Sequence, residues 1–139
     1  MIEFTQTNLD PGNCWQTAVA CLLEVSPDTL PDQNVCDLKV GSPPFYQNEL
    51  GAYLRKHYGL AFVSIQPFML TQLTVKEPGI HLMSGKTVRT SRNHQNHIVV
   101  ARHGELLWDP HPSRAGLTEV IYWSFLVPYP EEWTRHNLT

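Results

Sequence analysis

The chain has 139 residues, of which 42% are hydrophobic, and its formal net charge is −3. A chain of this length supports one compact core, so we expect a single domain spanning residues 1–139. The ten basic residues are scattered and form no basic stripe, which argues against nucleic acid as a partner. No segment approaches the roughly 20 apolar residues that cross a bilayer, and the N-terminus lacks a signal-peptide pattern. We therefore expect a soluble, cytoplasmic protein with no membrane partner.

The first half of the chain predicts a strand followed by helices. Residues 2–7 predict a short strand, which is followed by a turn. Apolar residues then recur at helical spacing and predict a helix over residues 14–25, with Asn13 as its N-cap. Ser26 and Pro27 predict a short helical turn. A second helix is predicted over residues 44–57, ending at Gly59 in the left-handed conformation.

The second half of the chain predicts mainly strands. The polar run over residues 86–96 has no apolar periodicity and predicts a loop. A β-hairpin is predicted from residue 97 to residue 109, because two runs rich in branched residues flank a turn that contains Gly104. Further strands are predicted at residues 60–65, 80–85 and 119–129.

The length of the hairpin loop decides which side chains of the hairpin share a face. With a two-residue loop, Ile98 faces Asp109, and His97 points to the other face. With a three-residue loop that closes at a left-handed Gly104, His97 faces Asp109 at a Cβ separation of about 4.5–5.5 Å. The turn residues favour this second register at least as well as the first. It predicts a hydrogen bond between the imidazole and the carboxylate.

Three cysteines are present, Cys14, Cys21 and Cys36. An odd number cannot all pair, and a chain of this size needs no disulfide, so we expect free thiols. Cys21 is expected to be a small buried hydrophobic residue. The sequence has no Cys-x-x-Cys pair and no His-x-x-x-His motif, so neither a metal nor an organic cofactor is expected.

Cys14 follows a Pro-Gly-Asn turn and begins the first predicted helix. The unpaired amide hydrogens and the positive end of the helix dipole favour a thiolate at this position. An oxyanion that forms beside the sulfur can be bound by the N–H of Cys14 itself, and one such donor is worth on the order of 3 kcal/mol. Electrostatics therefore gives a reason for a thiol where a small apolar residue would pack equally well.

A cysteine at a helix start, a histidine heading a strand and an aspartate after the next strand occur here in the chain order of papain-like cysteine peptidases. The chain resembles that family, and most of all its small bacterial and phage-borne members and the peptidases that trim bacteriocin leaders. Gln6 and the stretches "NCWQTAVACLLEV" and "HIVVARHGELLWDP" carry the resemblance, and residues 30–90 carry no signature. The resemblance implies an α+β papain-like fold with the cysteine-bearing helix packed on a small antiparallel sheet.

The resemblance also implies roles for individual residues. Cys14 would be the nucleophile, His97 the general base and later acid, and Asp109 the group that fixes the imidazole tautomer. Gln6 would donate the side-chain half of the oxyanion hole beside the N–H of Cys14. Gln6 lies eight positions before Cys14, where the family usually has fewer, so Asn8 or Asn13 is an alternative donor.

Several residues near these motifs are candidates for substrate contacts, each with an ordinary structural alternative. Aromatic residues often pack in the core, histidines cap turns, and exposed arginines are usually only solvated. Arginines in the flanking loops could also clamp a carboxylate or phosphate of the substrate. The candidates are Trp15, Arg92, His94 and His111, with Arg89 and Arg114 as further possible clamps.

The expected function is thiol-dependent hydrolysis of a peptide, isopeptide or amide bond through an acyl-enzyme on Cys14. Acyl transfer from a thioester is an alternative, so the expected partners are a peptide, a protein or a small amide or thioester. A papain-like binding or inhibitor protein of phage origin, docking through residues 85–96, is an alternative from another class. Metal binding by Cys14, Asp109 and either His94 or His97 ranks last, because it lacks a closely spaced ligand pair.

Overall fold

The computed structural model describes residues 1–9, 12–33, 49–67, 69, 79–89 and 97–130. The described residues form an α+β structure with an N-terminal helix and a five-stranded antiparallel sheet. The elements are α1 (Cys14–Leu23), a 3-10 turn (Pro27–Thr29), α2 (Glu49–Tyr58), β1 (Leu60–Ile65), β2 (Ile80–Lys86), β3 (His97–Arg102), β4 (Glu105–Trp108) and β5 (Glu119–Pro128). Within these ranges, the helices are too short or too polar to span a bilayer.

The strand predicted for residues 2–7 is wrong, because this segment is irregular. Its backbone groups bond to separate parts of the fold instead of to one neighbouring strand. The N–H of Ile2 donates to the carbonyl of Cys21 at 3.3 Å, and the N–H of Gln6 donates to the carbonyl of Pro110 at 2.9 Å. The segment therefore links α1 to the chain that follows β4.

The two helices end where the backbone turns left-handed. α1 stops at Leu23, two residues earlier than predicted, because Glu24 has a φ of 57° and its N–H caps the carbonyl of Ala20. α2 ends at Tyr58, and Gly59 takes the predicted left-handed conformation with a φ of 63°. The predicted start of this helix, at residues 44–48, lies outside the described residues.

The sheet has the strand order β1-β5-β2-β3-β4. α1 packs against β3 and β2, and α2 packs against β1. A second apolar cluster, formed by Met83, Val99 and Ala101 with Trp123 against them, is separate from the helix-facing core. That core contains Cys14, Ala18, Val19, Ala20, Cys21, Leu30, Leu50, Leu54, Leu82, Ile98 and Val100.

Of the two loop lengths that the sequence left open, the β3–β4 hairpin has the two-residue loop. Arg102 pairs with Glu105, and the loop residues His103 and Gly104 both have positive φ, at 51° and 82°. This combination is typical of a type I′ turn, whose twist matches that of the two strands. A β-bulge then moves the register by one residue, so that Val100 pairs with Trp108.

The bulge returns Asp109 to the face of His97, although the two residues do not become directly opposed as a three-residue loop would have made them. A two-residue loop alone would align Ile98 with Asp109. The bulge adds one residue to β4 and shifts the pairing by one position, so that Val100 pairs with Trp108. The same register continued by one residue places Asp109 opposite Val99. His97 is then the diagonal neighbour of Asp109 on the same face, within reach of a ring and a carboxylate.

Candidate active site

Asp109 follows β4 directly and its carboxylate is buried, with the residue 2% exposed. Both carboxylate oxygens accept hydrogen bonds. Oδ1 accepts from His97 Nε2 at 2.6 Å and from the N–H of His111 at 2.9 Å, and Oδ2 accepts from the N–H of Gly116 at 2.8 Å. The turn after β4 therefore wraps around this carboxylate and fixes its orientation.

His97, the first residue of β3, lies between an acid and a thiol. Its Nε2 is bonded to Asp109, and Cys14 is its second side-chain hydrogen-bond partner. Because Nε2 is occupied, Nδ1 is the nitrogen left to face the sulfur. Gly85 lies opposite His97 in the β2–β3 register, where a Cβ atom on residue 85 would come within 1.8 Å of the carbonyl oxygen of Glu119. Glycine thus permits the close approach of β5 beside His97.

The charges of the pair stabilise each other. Burial alone disfavours the imidazolium, but the hydrogen bonds to Asp109 and Cys14 outweigh it and raise the pKa of His97 to about 9. Burial also disfavours the Asp109 carboxylate, but the bonds from His97 and from the backbone N–H groups of His111 and Gly116 lower its pKa to about 2. At neutral pH the pair is therefore an imidazolium and a carboxylate.

Cys14 begins α1 and is 8% exposed. The next two N–H groups of the helix, those of Trp15 and Gln16, donate to the side chain of Gln33 at 3.0 and 3.3 Å. The N–H of Thr17 donates to the carbonyl of Asn13 at 3.0 Å. In the described part of the chain, the N–H of Cys14 is left with no recorded acceptor, so it is the donor of this first turn that remains for an oxyanion.

Asn13 occupies the predicted N-cap position, but its side chain makes no capping hydrogen bond. Its Oδ1 accepts from the N–H of Asn8, and its Nδ2 donates to Thr7, both at 3.2 Å. The side chain therefore closes the loop before α1, and Gln33 caps the helix instead. This capping residue was missed because its contact spans 17 residues and no local pattern announces it.

Gln6 is 6% exposed and immediately precedes the loop that Asn13 closes. Its Nε2 donates to the carbonyl of Asn8 at 2.9 Å, and its buried Oε1 has no hydrogen-bond partner among the described residues. Its backbone N–H is bonded to Pro110, next to Asp109. Gln6 is thus held between the segments that carry Cys14 and Asp109, and its predicted role as an oxyanion donor remains a prediction.

The substrate-contact candidates lie in different environments. Trp15 is half-buried and packs edge-on against Phe62, with ring centroids 5.7 Å apart. His111 lies edge-on to His97, with ring centroids 6.0 Å apart, so it is at the site. Arg92 and His94 lie outside the described residues.

Arg114 positions the turn that carries Asp109. Its Nη1 donates to the carbonyls of Asp109 and His111 at 2.9 and 2.8 Å, and its guanidinium lies 4.0 Å from the ring centroid of Trp108. Its Nη2 donates to Thr5, in the N-terminal segment. The sequence predicted a substrate clamp or a solvated side chain at Arg114. Backbone carbonyls are present in every residue, so the residue types of the turn do not reveal these acceptors.

Cys21 differs from Cys14 in its surroundings. It is fully buried in the helix-facing core, where burial raises the pKa of its thiol. Its sulfur accepts from the N–H of Phe4 at 3.3 Å. Among the described residues, no group of three or more His, Cys, Asp or Glu side chains is arranged to hold a metal ion. Cys36 lies outside these residues.

Comparisons with known proteins add no family assignment. A scan against protein-family models found no match, and searches of curated proteins and of solved structures found no matching protein or structure.

Proposed function

We propose that the protein is a papain-like, thiol-dependent acyl-transfer enzyme that hydrolyses a peptide, isopeptide or amide bond. The observation that carries the proposal is the position of His97 between Asp109, at 2.6 Å, and Cys14 at the start of α1. A nucleophile, a base and a group that orients the base are the three parts that nucleophilic catalysis requires. The N–H of Cys14, which has no recorded acceptor in the described chain, adds an oxyanion donor.

In the proposed reaction, the Cys14 thiolate attacks the substrate carbonyl and forms the carbon–sulfur bond. The developing oxyanion is bound by the N–H of Cys14. The His97 imidazolium then protonates the leaving amine as the carbon–nitrogen bond breaks, which leaves a thioester on Cys14 and a neutral imidazole. His97 next removes a proton from water, which hydrolyses the thioester and regenerates the thiolate–imidazolium pair.

Asp109 holds the imidazole throughout both steps. Its bonds from the backbone of His111 and Gly116 fix the carboxylate, so the hydrogen bond to Nε2 keeps Nδ1 aimed at the sulfur. Its negative charge also stabilises the imidazolium that stores the proton before the leaving group departs. Asp109 therefore acts through His97 without contacting the substrate.

Alkylation by iodoacetamide at pH 6 tests the nucleophile. Cys14 is expected to react at least about 100-fold faster than Cys21 or Cys36. The thiolate is the reactive form of a cysteine, and at pH 6 a thiol is ionised to a useful extent only where a group such as an imidazolium stabilises the thiolate. The sites are quantified by peptide mass spectrometry. His97→Ala removes the preference, whereas His57→Ala, an exposed position on α2, retains it. Equal, slow labelling of all three cysteines contradicts the proposal.

Acylation by p-nitrophenyl acetate tests catalysis as distinct from reactivity. The expected result is a burst of p-nitrophenol, an acetyl group on Cys14 in the intact mass spectrum, and slow regeneration of free enzyme. Cys14→Ala abolishes the burst. A non-catalytic binding protein would give no burst, and an acyltransferase would regenerate faster with an added amine than with water alone.

A further inference from the structure

A chain of polar contacts leads from the rim of the candidate active site to an exposed guanidinium. The ring of His111 is edge-on to His97, and its Nδ1 lies 2.8 Å from the hydroxyl of Ser113. That hydroxyl accepts a hydrogen bond from Nη1 of Arg89 at 2.8 Å. The guanidinium is therefore held on the same side of the site as His111.

The positive charge of Arg89 has no counterion among the described residues. The ion pairs recorded there are those of Asp109 with His97, Glu119 with Lys86, and Glu24 with the N-terminal ammonium. Within the same residues, Arg89 uses one guanidinium nitrogen, on the neutral Ser113 hydroxyl. The guanidinium of Arg114, in contrast, donates hydrogen bonds to two carbonyls and to Thr5, and it lies over the ring of Trp108. Of these two arginines beside the site, Arg89 is thus the one whose guanidinium keeps donors that the described residues do not use.

His111 supplies a second donor beside this charge. Its Nδ1 accepts the backbone N–H of Ser113 at 3.0 Å, so the proton of the neutral ring lies on Nε2. Burial and the nearby charge of Arg89 lower the pKa of His111, which keeps the ring neutral at pH 7. The Ser113 hydroxyl thus lies between this neutral ring and the guanidinium, and the ring itself is edge-on to His97.

We propose that Arg89 and His111 form a carboxylate-binding subsite beside His97, and that the substrate carries a carboxylate close to the bond that is cleaved. A planar guanidinium matches a carboxylate with two parallel hydrogen bonds, which gives both charge and direction. This inference rests on the proposed function, because the subsite is placed relative to the reacting Cys14–His97 pair. It names the substrate class as an acidic acyl compound or peptide.

Matched alkylating probes test the subsite in the intact protein. N-(iodoacetyl)glycine and N-(iodoacetyl)glycinamide differ only in a carboxylate, so the ratio of their rates at Cys14 measures recognition of that group. At low salt we expect the carboxylate probe to gain about fivefold from Arg89, the upper range for a partly exposed ion pair. Arg89→Gln removes this gain, whereas Arg102→Gln, which removes an exposed arginine at the far end of β3, retains it. An unchanged ratio in Arg89→Gln means that the His97 imidazolium alone attracts this carboxylate, and it overturns the proposal unless a carboxylate on a side chain shows an Arg89-dependent gain.

A third probe separates the two sources of a substrate carboxylate. The α-amide of N-(iodoacetyl)glutamic acid carries its carboxylate on a side chain, whereas N-(iodoacetyl)glycine carries the carboxylate of a chain end. An Arg89-dependent gain for the glycine probe alone assigns the subsite to a free C-terminus. A gain for the glutamyl probe alone assigns it to an acidic side chain. No Arg89-dependent gain with either probe overturns the subsite.

A binding measurement separates this inference from the proposed function. In Cys14→Ala protein, N-acetylglycine is expected to shift the NMR signals of the His111 ring, and N-acetylglycinamide is not. Arg89→Gln in the same background loses the shift. If Cys14 proves unreactive while this shift depends on Arg89, the enzyme proposal fails and the carboxylate site stands. If Cys14 reacts quickly but neither the shift nor the rate ratio depends on Arg89, the subsite fails and the enzyme proposal stands.

Discussion

Two buried histidines in this sheet behave in opposite ways. His97 begins β3 and is 9% exposed, and His81 lies in the neighbouring strand β2 and is 1% exposed. The pKa of His97 is raised to about 9, whereas burial lowers the pKa of His81 below its ordinary 6.5. Both rings lose solvation, so the difference lies in their partners.

The partners of His81 are neutral. Its Nε2 accepts the N–H of Gly104 at 3.0 Å, so its proton lies on Nδ1, which is 3.1 Å from the carbonyl of Leu82. Its ring stacks on Trp123, with centroids 4.2 Å apart. Burial and the bond from Gly104 favour the neutral imidazole, since a charged ring would lose that bond, and they outweigh the Leu82 carbonyl, which alone would raise the pKa. His81 thus secures the β3–β4 turn, whereas His97 faces a carboxylate and a thiol.

Burial alone therefore does not identify a histidine that can carry out proton transfer. A carboxylate on one ring nitrogen and a nucleophile on the other hold His97 in a state that can give and take a proton. Backbone groups on both nitrogens give His81 a fixed tautomer and a structural role. Changing the partners should therefore move one histidine toward the behaviour of the other.

The largest expected effect comes from making the surroundings of His97 neutral. Asp109→Asn keeps the shape but removes the charge, so we expect the pKa of His97 to fall from about 9 to near or below 6.5, measured by NMR titration of its ring. Alkylation of Cys14 at pH 6 should fall on the order of 10²-fold or more, because the ring loses the carboxylate that stabilises its charge and is misoriented. Glu119→Gln, at an exposed ion pair, is the control and should change neither value. A pKa that stays near 9 would assign the charge stabilisation to Cys14 instead of Asp109.

The chain order of the site could be predicted, but its register could not. Local patterns gave the hairpin, the helix that begins at Cys14, and Gly104 in its left-handed conformation. The loop length stayed open because a two-residue and a three-residue turn both suit Arg-His-Gly-Glu. A bulge in β4 supplies the missing residue, and a bulge depends on the pairing of two strands, which one-dimensional periodicity does not contain.

The long-range support of the site was also beyond sequence analysis. Gln33 caps α1 from 17 residues away, and Arg114 joins the Asp109 turn to Thr5 across 109 residues. The N-terminal segment was predicted as a strand, yet its backbone groups find acceptors in separate elements. Such contacts depend on tertiary placement, so the residue types alone suggest exposed polar groups.

The next largest expected effect is on stability, and it comes from replacing the glycine that lies beside each histidine. Gly85→Ala would force a Cβ atom against the backbone of Glu119, beside His97, and should destabilise the fold by about 3 kcal/mol or more. Gly104→Ala would place a Cβ 2.7 Å from the Trp123 ring at a φ of +82°, beside His81, and should cost about 2 kcal/mol. Urea unfolding measures both. At a temperature where both variants remain folded, only Gly85→Ala should slow alkylation of Cys14, and equal slowing would mean that the two ends of the hairpin are coupled.

The smallest expected effect is the pH dependence of stability, in which the two histidines act with opposite signs. The raised pKa of His97 means that the folded protein keeps a proton that the unfolded chain releases above its ordinary 6.5. The contribution of His97 to the free energy of unfolding is therefore complete below pH 6.5 and is lost as the pH rises through about 9. The lowered pKa of His81 has the reverse consequence, because the unfolded chain gains a proton below pH 6.5 that the folded ring resists. Stability should therefore fall on each side of pH 6.5, through His97 on the alkaline side and through His81 on the acid side.

Single substitutions assign each limb of this profile to one ring. In urea unfolding between pH 4.5 and 8, below the range in which the Cys21 thiol of the unfolded chain ionises, His97→Gln should flatten the alkaline limb and leave the acid limb, whereas His81→Phe should do the opposite. Asp109 does not confuse the acid limb in this range, because its pKa of about 2 keeps its contribution intact above the ordinary 3.8 and costs stability only in stronger acid. The slopes, not the absolute stabilities, carry the test, since both variants also lose a hydrogen bond that is independent of pH. If stability still falls at alkaline pH in His97→Gln, then folding does not stabilise the imidazolium beside Cys14. The two histidines would then not differ in the way that their partners predict.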